Sequence, residues 1–286
     1  MASGAEVQAY ADDEAVARAA FERIEREVER IEAKYSRYRD DSMLTRINRS
    51  AGGEPVRIDS ETSGLLDYAD ACWRQSGGLF DITSGILRQV WDWKKGVPPR
   101  PRDFVQVLPR IGWDRVRRDG DTIALEAGME LDMGGIGKEY AADRAVSVAK
   151  ATGIEPGFVN FGGDIRVIGP RPDGRPWRAG IVHPRATDRT IAHVELSEGG
   201  LATSGDYERY FEHEGRRYSH ILNPRTGWPV DGPQSVSVLA PLCVVAGSCA
   251  TIAMLHGDDA EAYLIEQRVP YLLVDRNGDV HRSTPA

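Results

Sequence analysis

Residues 131 to 143 read LDMGGIGKEYAAD, and the rest of the chain is organised around this segment. A short apolar run ends at Asp132, three glycines follow, and Lys138 opens a segment with helical periodicity. Glycines let backbone N–H groups approach a ligand closely, and a helix N-terminus carries partial positive charge to which a lysine adds a full one. The pattern therefore predicts an anion-binding turn, with phosphate as the obvious ligand. Its spacing matches neither the P-loop nor the dinucleotide-binding glycine signature, so a purely structural turn remains the alternative.

The composition limits the number of domains and the kinds of partner. The chain has 286 residues, and 41% of them are hydrophobic, which is enough for one folded unit with a large core. We therefore expect residues 1–286 to form a single domain. The formal net charge of −8 argues against nonspecific binding to nucleic acid, which needs a basic face. No run approaches the ~18 apolar residues of a membrane helix, so we expect no membrane insertion.

The cysteines and the N-terminal residues indicate the compartment. Cys72, Cys243 and Cys249 form no C-x-x-C pair, and their odd number does not suit a disulfide framework. We expect them to be reduced and to act as small hydrophobic residues. The first fourteen residues lack the basic and apolar regions of a signal peptide. As the sequence stands, we expect a cytoplasmic protein.

Periodicity predicts a mixture of helices and strands without an internal repeat. Asp12 or Asp13 is expected to cap a long first helix, whose apolar stripe comprises Val16, Phe21, Ile24, Val28, Ile31 and Tyr35. Further helices are predicted at 43–48, 65–73, 138–151, 244–255 and 259–267. Strands are predicted at 6–10, 122–125, 129–131, 157–161, 165–168, 178–183, 191–196, 235–240, 270–274 and 279–282. The fold class is therefore α+β, or mixed α/β.

Three more polar turns accompany the opening segment. They are GGD at 162–164, ATSGDYER at 202–209 and YSHILNPRTGWP at 218–229, and they are dense in groups that hydrogen-bond anions or sugars. A large phosphorylated ligand held from several loops is the natural interpretation. The six histidines contain no H-E-x-x-H or H-x-H pattern, so no zinc site is expected. His220 lies beside the last turn and is either a catalytic residue or a structural partner of that turn.

Together, the motifs resemble the ApbE-type flavin transferases, also called FAD:protein FMN transferases, in family order along the chain. Met1-Ala2-Ser3 resembles the family's opening Met-Gly-Thr, and residues 36–48 resemble its S-x-Y-x-x-x-S-x-x-x-x-x-N segment. Residues 80–83 match F-D-x-T, and residues 131–143 are similar to L-D-x-x-x-x-x-K-G-Y-x-x-D. Three later signatures correspond to residues 162–164, 203–207 and 219–227.

The resemblance implies an ApbE-like fold, with mixed sheets flanked by helices, and an activity. FAD would be bound as a substrate, FMN would be moved to a threonine of an acceptor protein, and AMP would leave. The implied FAD contacts are Met1, Tyr38, Leu79, Phe80, Asp81, Asp132, Lys138 and Leu222. Magnesium would assist, with the Gly135 carbonyl and Thr251 as its ligands, and His220 would be the candidate general base. Most relatives act outside the cytoplasm, so a periplasmic location is expected if an export signal is missing from this sequence.

Three positions depart from the family pattern. Glu139 stands where the family has glycine, and Asn223 stands where it has an acid in I-D-P-x-T-G. The late motif A-D-x-x-x-T supplies an aspartate and a threonine to the metal, but here the aligned residues are Gly247 and Thr251. A hard cation without its carboxylate should bind more weakly.

These departures leave several interpretations open. Another carboxylate, Asp164 or Asp206, replaces the missing one, or the protein binds FAD and either transfers FMN poorly or needs a different ion. A non-catalytic FAD-binding or flavin-delivery protein is the alternative from a different class. FAD pyrophosphatase activity, with water as the nucleophile, would use the same site.

Overall fold

The computed structural model describes residues 4–283, so the predicted contact at Met1 lies outside the described residues. In chain order, the first part of the fold contains β1 (Ala5–Ala9), α1 (Glu14–Tyr35), α2 (Met43–Arg49), β2 (Val56–Arg57), α3 (Ser60–Gln75), β3 (Arg117–Asp119), β4 (Thr122–Ala124), α4 (Gly137–Ala151), β5 (Gly157–Phe161) and β6 (Asp164–Gly169). The second part contains β7 (Trp177–His183), β8 (Ala186–Leu196), β9 (Gly200–Gly205), β10 (Tyr210–His213), β11 (Arg216–Ser219), β12 (Ser235–Ala240), α5 (Cys243–Leu255), α6 (Ala260–Gln267), β13 (Tyr271–Val274) and β14 (Val280–Arg282). A 3-10 helix spans Ile82–Gln89.

A seven-stranded sheet forms the centre of the molecule, in the order β1-β5-β6-β9-β12-β13-β14. Its neighbouring strands pair antiparallel. Helices α4 and α5 pack on this sheet and on each other, and α1 packs against α4. The predicted combination of helices and sheets is confirmed. Within the described range, no helix combines the length and the apolar character needed to cross a membrane.

Small side chains let the two central helices lie close to the sheet. Ala141, Ala145 and Ala149 on α4 are fully buried, and α5 buries almost its whole surface. An apolar helix of small residues is the pattern of an element enclosed by the core. The three cysteines are free and buried, as predicted.

The first helix matches its predicted cap but not its whole predicted stripe. Asp13 is the N-cap, and its carboxylate accepts hydrogen bonds from the backbone N–H groups of residues 15 and 16. Ile24, Ile31 and Tyr35 are buried, but Val16 and Phe21 are 43% and 38% exposed. Ala20 occupies the buried face instead, and Phe21 points about 100° away from it because successive helical residues are separated by that angle.

The strand predicted at 129–131 is wrong, because this segment pairs with a side chain and not with another strand. The Leu131 N–H donates to Asn48 Oδ1 at 2.7 Å, and Asn48 Nδ2 donates to the Leu131 carbonyl at 2.9 Å. The amide of Asn48 thus satisfies both backbone groups of the residue that precedes Asp132. Asn48 on α2 therefore fixes the position of Leu131, the first residue of the motif.

The polar turn predicted at 202–209 is also partly wrong. Residues 200–205 form β9, an inner strand between β6 and β12. Polar residues are tolerated in this inner strand because their side chains form hydrogen bonds with neighbouring strands. Thr203 Oγ1, for example, lies 2.7 Å from Ser237 Oγ on β12. Only residues 206–209 lie outside the strand.

Asn48→Ala should destabilise the protein, because it leaves two buried backbone groups of Leu131 without partners. We expect the free energy of unfolding in urea to fall by about 2 kcal/mol. Arg49→Ala, on the same helix, removes only exposed contacts with Asp40, an ion pair and a hydrogen bond to its carbonyl, and should change stability by less than about 0.5 kcal/mol. Equal stability of the two variants would contradict the role given to Asn48.

Candidate active site

The glycine turn is held in place through Asp132. The Asp132 N–H donates to the Ile82 carbonyl at 2.8 Å, and the Gly134 N–H donates to Asp132 Oδ1 at 2.9 Å. The guanidinium of Arg37 pairs with the same carboxylate. Asp132 thus joins three segments, and its charge is already neutralised by Arg37.

Arg37, which pairs with Asp132, also holds the side chain of Tyr38. Arg37 Nη2 donates to the Tyr38 hydroxyl at 2.9 Å, and the guanidinium carbon lies 5.0 Å from the centre of the ring. The ring is 79% exposed. An exposed aromatic ring fixed beside Asp132 is suited to stacking on a flat ligand. Arg37 was not predicted to belong to the site, although it lies inside the motif that contains Tyr38.

Leu79, Phe80 and Asp81 form the wall beneath the glycine turn. Phe80 is buried, and a Cβ on Gly135 would lie 3.0 Å from its ring. Asp81 is also buried, and its carboxylate accepts hydrogen bonds from the backbone N–H groups of Thr83 at 2.7 Å and Trp113 at 3.0 Å. Asp81 therefore caps the 3-10 helix, and Leu79 is partly exposed beside Phe80.

The loop that follows His220 meets this wall. Arg225 donates to the Gly77 carbonyl, and these two segments together with residues 108–114 line a pocket. Leu222 pairs with Pro229 across the loop and packs against a cluster of aromatic side chains that includes Trp91 and Phe104. The predicted contacts at 79–81 and 222 thus lie on adjoining segments.

Asn223 preserves the loop although it replaces an acid. Its Oδ1 accepts a hydrogen bond from the Arg225 N–H at 2.9 Å, and its carbonyl accepts one from the Gly227 N–H at 2.8 Å. Asparagine and aspartate both make this type of turn. The departure at position 223 therefore leaves the backbone geometry of the loop intact.

Lys138, at the start of α4, provides the charged group predicted for the site. Its Nζ lies 2.6 Å from Asp164 Oδ2, and Asp164 also accepts a hydrogen bond from the Thr203 N–H. Burial favours the neutral amine, but the charges of Asp164 and Glu139 outweigh this effect and raise the pKa of Lys138. The ammonium group is therefore charged at neutral pH.

The side chain of Glu139 fills the space that a side chain at position 247 would need. Glu139 is 7% exposed, and a Cβ on Gly247 would lie 2.7 Å from its Cγ and 3.2 Å from its Oε1. Burial, followed by the charge of Asp164, raises the pKa of Glu139. Thr251 lies four residues after Gly247 on α5, and its hydroxyl is 2.8 Å from Ser204 Oγ.

Asp143 fixes α5 relative to α4. Its carboxylate accepts hydrogen bonds from the N–H groups of Cys243 and Val244, both at 2.9 Å, and from Arg166 Nε at 2.8 Å. The N-cap residue of α5 is Leu242, which supplies no side-chain cap of its own. The last residue of the opening motif therefore caps a second helix, a role that the motif did not reveal.

His220 follows β11 and is half-buried. Its backbone N–H donates to the Arg209 carbonyl at 3.0 Å, and within residues 4–283 its Nδ1 is buried without a hydrogen-bond partner. Burial and the positive charge of Arg209 lower the pKa of His220 to about 4. The imidazole is therefore neutral at neutral pH, so that one of its two nitrogens is unprotonated.

The predicted metal ligands do not form a conventional acidic cluster. Over residues 4–283, no group of three or more His, Cys, Asp or Glu side chains is arranged to hold a metal ion. Asp206, one of the two candidates to replace the missing carboxylate, pairs with Arg185 at 2.6 and 2.7 Å. Asp164, the other, pairs with Lys138. Both of these carboxylates already have cationic partners.

Comparison with known proteins places this arrangement in a family. The chain matches the ApbE family over residues 1–273 and belongs to it. The FAD:protein FMN transferase of Vibrio cholerae is 31% identical over 264 residues, which cover 90% of this chain and 79% of the relative. The protein of the same name from Treponema pallidum is 32% identical over 269 residues, covering 87% and 74%.

A solved structure supports the same conclusion. The crystal structure of the ApbE protein from Thermotoga maritima superimposes with a TM-score of 0.91 at 32% identity, covering 98% of this chain and 94% of that one. The resemblance stated from the motifs and the fold expected from it are confirmed.

Asp143→Ala should separate the two central helices. It removes the cap of α5 and leaves Arg166 without its partner, so we expect a loss of about 2 to 4 kcal/mol in the free energy of unfolding. Asp231→Ala is the matched control, because Asp231 is exposed and pairs with Arg216 at 3.3 Å. Urea denaturation of both variants tests this, and a loss below about 1 kcal/mol for Asp143→Ala would contradict it.

The lowered pKa of His220 should be visible in the pH dependence of stability. In the folded protein the pKa of His220 is lowered to about 4, whereas the ordinary histidine pKa is 6.5. Between these values the unfolded chain binds more protons, so stability is lost as the pH falls. Relative to His220→Gln, the wild type should lose about 2 kcal/mol between pH 7 and pH 4. Parallel urea titrations that show the same pH dependence for both proteins would refute this.

Proposed function

We propose that this member of the ApbE family is an FAD:protein FMN transferase. It moves FMN from FAD to the hydroxyl of a threonine in an acceptor protein and releases AMP. The observation that supports this best is the alignment of nearly the whole chain with relatives that carry that name. The charged Lys138 beside a glycine turn and the neutral His220 fit the chemistry.

The reaction needs positioning and charge neutralisation more than covalent chemistry with the protein. The threonine oxygen forms a bond to the phosphorus of the FMN half, the bond from that phosphorus to the oxygen of AMP breaks, and the hydroxyl proton passes to a base. His220 is the proposed acceptor of that proton, because its imidazole is neutral and its Nδ1 has no partner among the described residues. Lys138 lies at the N-terminus of α4, where the helix also attracts anions.

The exposed ring of Tyr38 and the wall at 79–81 are proposed to hold the flavin part of FAD. Phosphate groups would face the glycine turn next to Asp132 and Lys138, and Leu222 would close the opposite side. Because Arg37 and Asp164 already neutralise Asp132 and Lys138 respectively, these two pairs add little net positive charge. The pyrophosphate of FAD therefore needs a further cation.

Magnesium is the proposed cation, and when bound it offsets the negative charge on the phosphoryl oxygens. The Gly135 carbonyl and the Thr251 hydroxyl would hold it, since Mg²⁺ prefers oxygen ligands. The residues present fit a hard cation in one further respect, because Glu139 Oε2 is buried and has no partner within residues 4–283.

The relatives favour transfer over the two alternatives. A flavin-delivery protein would bind FAD and leave it intact, whereas an FAD pyrophosphatase would release AMP without an acceptor. Incubation with FAD, Mg²⁺ and an acceptor domain known to carry threonine-linked FMN distinguishes the three outcomes. Transfer gives an acceptor mass increase equal to one FMN residue, and a Thr→Ala acceptor should remain unmodified. Intact FAD, or AMP released at the same rate without acceptor, would overturn the proposal.

His220→Gln should slow FMN transfer by about 10² to 10⁴-fold, the range expected for loss of a general base. FAD affinity should change little, because the proton is moved only during the reaction. His213→Gln is the matched control, since His213 lies on the neighbouring hairpin β10–β11 and is not part of the site. Transfer rates and FAD fluorescence titrations of both variants test this, and an unchanged rate for His220→Gln would exclude His220 as the base.

A further inference from the structure

Glu139 is a buried carboxylate that lies beside Asp164 and is only partly satisfied by the described residues. It is 7% exposed in the first turn of α4, and its Oε2 has no hydrogen-bond partner among the described residues. Its Oε1 lies 3.9 Å from Lys138 Nζ, which is too far for a hydrogen bond. A buried polar atom without a partner is costly, so native proteins rarely keep one without a function or a ligand.

The space for this carboxylate exists because residue 247 has no side chain. A Cβ at that position would lie 2.7 Å from Glu139 Cγ, closer than real contacts allow. Gly247 lies inside α5, where glycine costs about 1 kcal/mol relative to alanine. Its φ is not among the positive values in the chain, so the backbone does not require glycine there. Close packing against Glu139 explains its presence.

The two departures from the family pattern at positions 139 and 247 therefore lie in contact with each other. Position 247 on α5 carries no carboxylate, and the side chain of Glu139 on α4 lies against that point of α5. Thr251 is four residues further along α5, so it lies on the same face of the helix as Gly247. Its hydroxyl is held by Ser204, which places another neutral oxygen beside it.

Three other carboxylates of this region already have partners among the described residues. Asp164 is paired with Lys138, Asp206 is paired with Arg185, and Asp143 caps α5. Glu208 acts on Lys138 through its charge but lies outside α4 and α5, and the atoms nearest to a Cβ on Gly247 all belong to Glu139.

We propose that Glu139 is the charged protein ligand of a hard divalent cation such as Mg²⁺ or Mn²⁺. The Thr251 hydroxyl and a main-chain carbonyl of the glycine turn supply neutral oxygens to the same ion, as hard cations prefer. The inference rests on the proposed function only in giving the cation its role, which is to hold the pyrophosphate of FAD. Cation binding itself can be measured without any transfer.

The test measures Mn²⁺ binding by electron paramagnetic resonance in the presence of FAD and without acceptor. Glu139→Gln keeps the shape of the side chain and removes its charge, so we expect the Kd for Mn²⁺ to rise by about 100-fold or more. The double variant Glu139→Gly with Gly247→Asp returns the carboxylate to α5 and should bind Mn²⁺ within about tenfold of wild type. Asp231→Asn changes an exposed carboxylate that pairs with Arg216, so it is the control and should leave the Kd unchanged.

Retention of wild-type Mn²⁺ affinity by Glu139→Gln would overturn the proposal. Circular dichroism and thermal melting confirm that each variant is folded. If Glu139→Gln does not fold, the double variant provides the test. Mn²⁺ binding by the double variant supports a carboxylate ligand at this point, and loss of Mn²⁺ binding refutes it. Wild-type protein that binds Mn²⁺ through Glu139 but never modifies an acceptor would refute the transferase function and leave this inference intact.

Discussion

The structure depends above all on the carboxylate of Asp143, which joins two helices and the central sheet. Without it, α5 would begin with unsatisfied N–H groups, because Leu242 has no side chain that can cap them. Arg166, on β6, holds the carboxylate from the other side. Asp143 therefore helps to fix the separation between α4, which carries Glu139, and α5, which carries Gly247 and Thr251.

Charge pairing is the second organising constraint. Arg37 with Asp132 and Lys138 with Asp164 place opposite charges in contact around the glycine turn. Such pairs hold segments together and leave little free charge, in a chain whose overall charge is −8. Glu139 differs from these groups, since Lys138 Nζ is 3.9 Å from its Oε1 and its Oε2 has no hydrogen-bond partner among residues 4–283. The paired groups therefore hold the segments of the site together, whereas Glu139 has an oxygen that is available to a ligand.

Local patterns in the sequence predicted what depends on neighbours along the chain. The cap at Asp13, the strand at 157–161 and the helix that starts at the glycine turn follow from residues within a few positions. The family resemblance of the motifs also predicted which residues form the site. Contacts between distant residues were not predictable, because Asn48 meets Leu131 across 83 positions and Asp143 meets Cys243 across 100. Periodicity carries no information about such pairs.

The contact between Glu139 and Gly247 also limits how such a sequence can evolve. Adding a side chain at 247 while Glu139 is present would force atoms within 2.7 Å. Removing Glu139 first would leave neither position with a carboxylate. A lineage can therefore pass between the two arrangements only through a crowded intermediate or one that lacks the charge. Residues 139 and 247 should consequently be inherited as a pair, and a glycine at one should accompany an acid at the other.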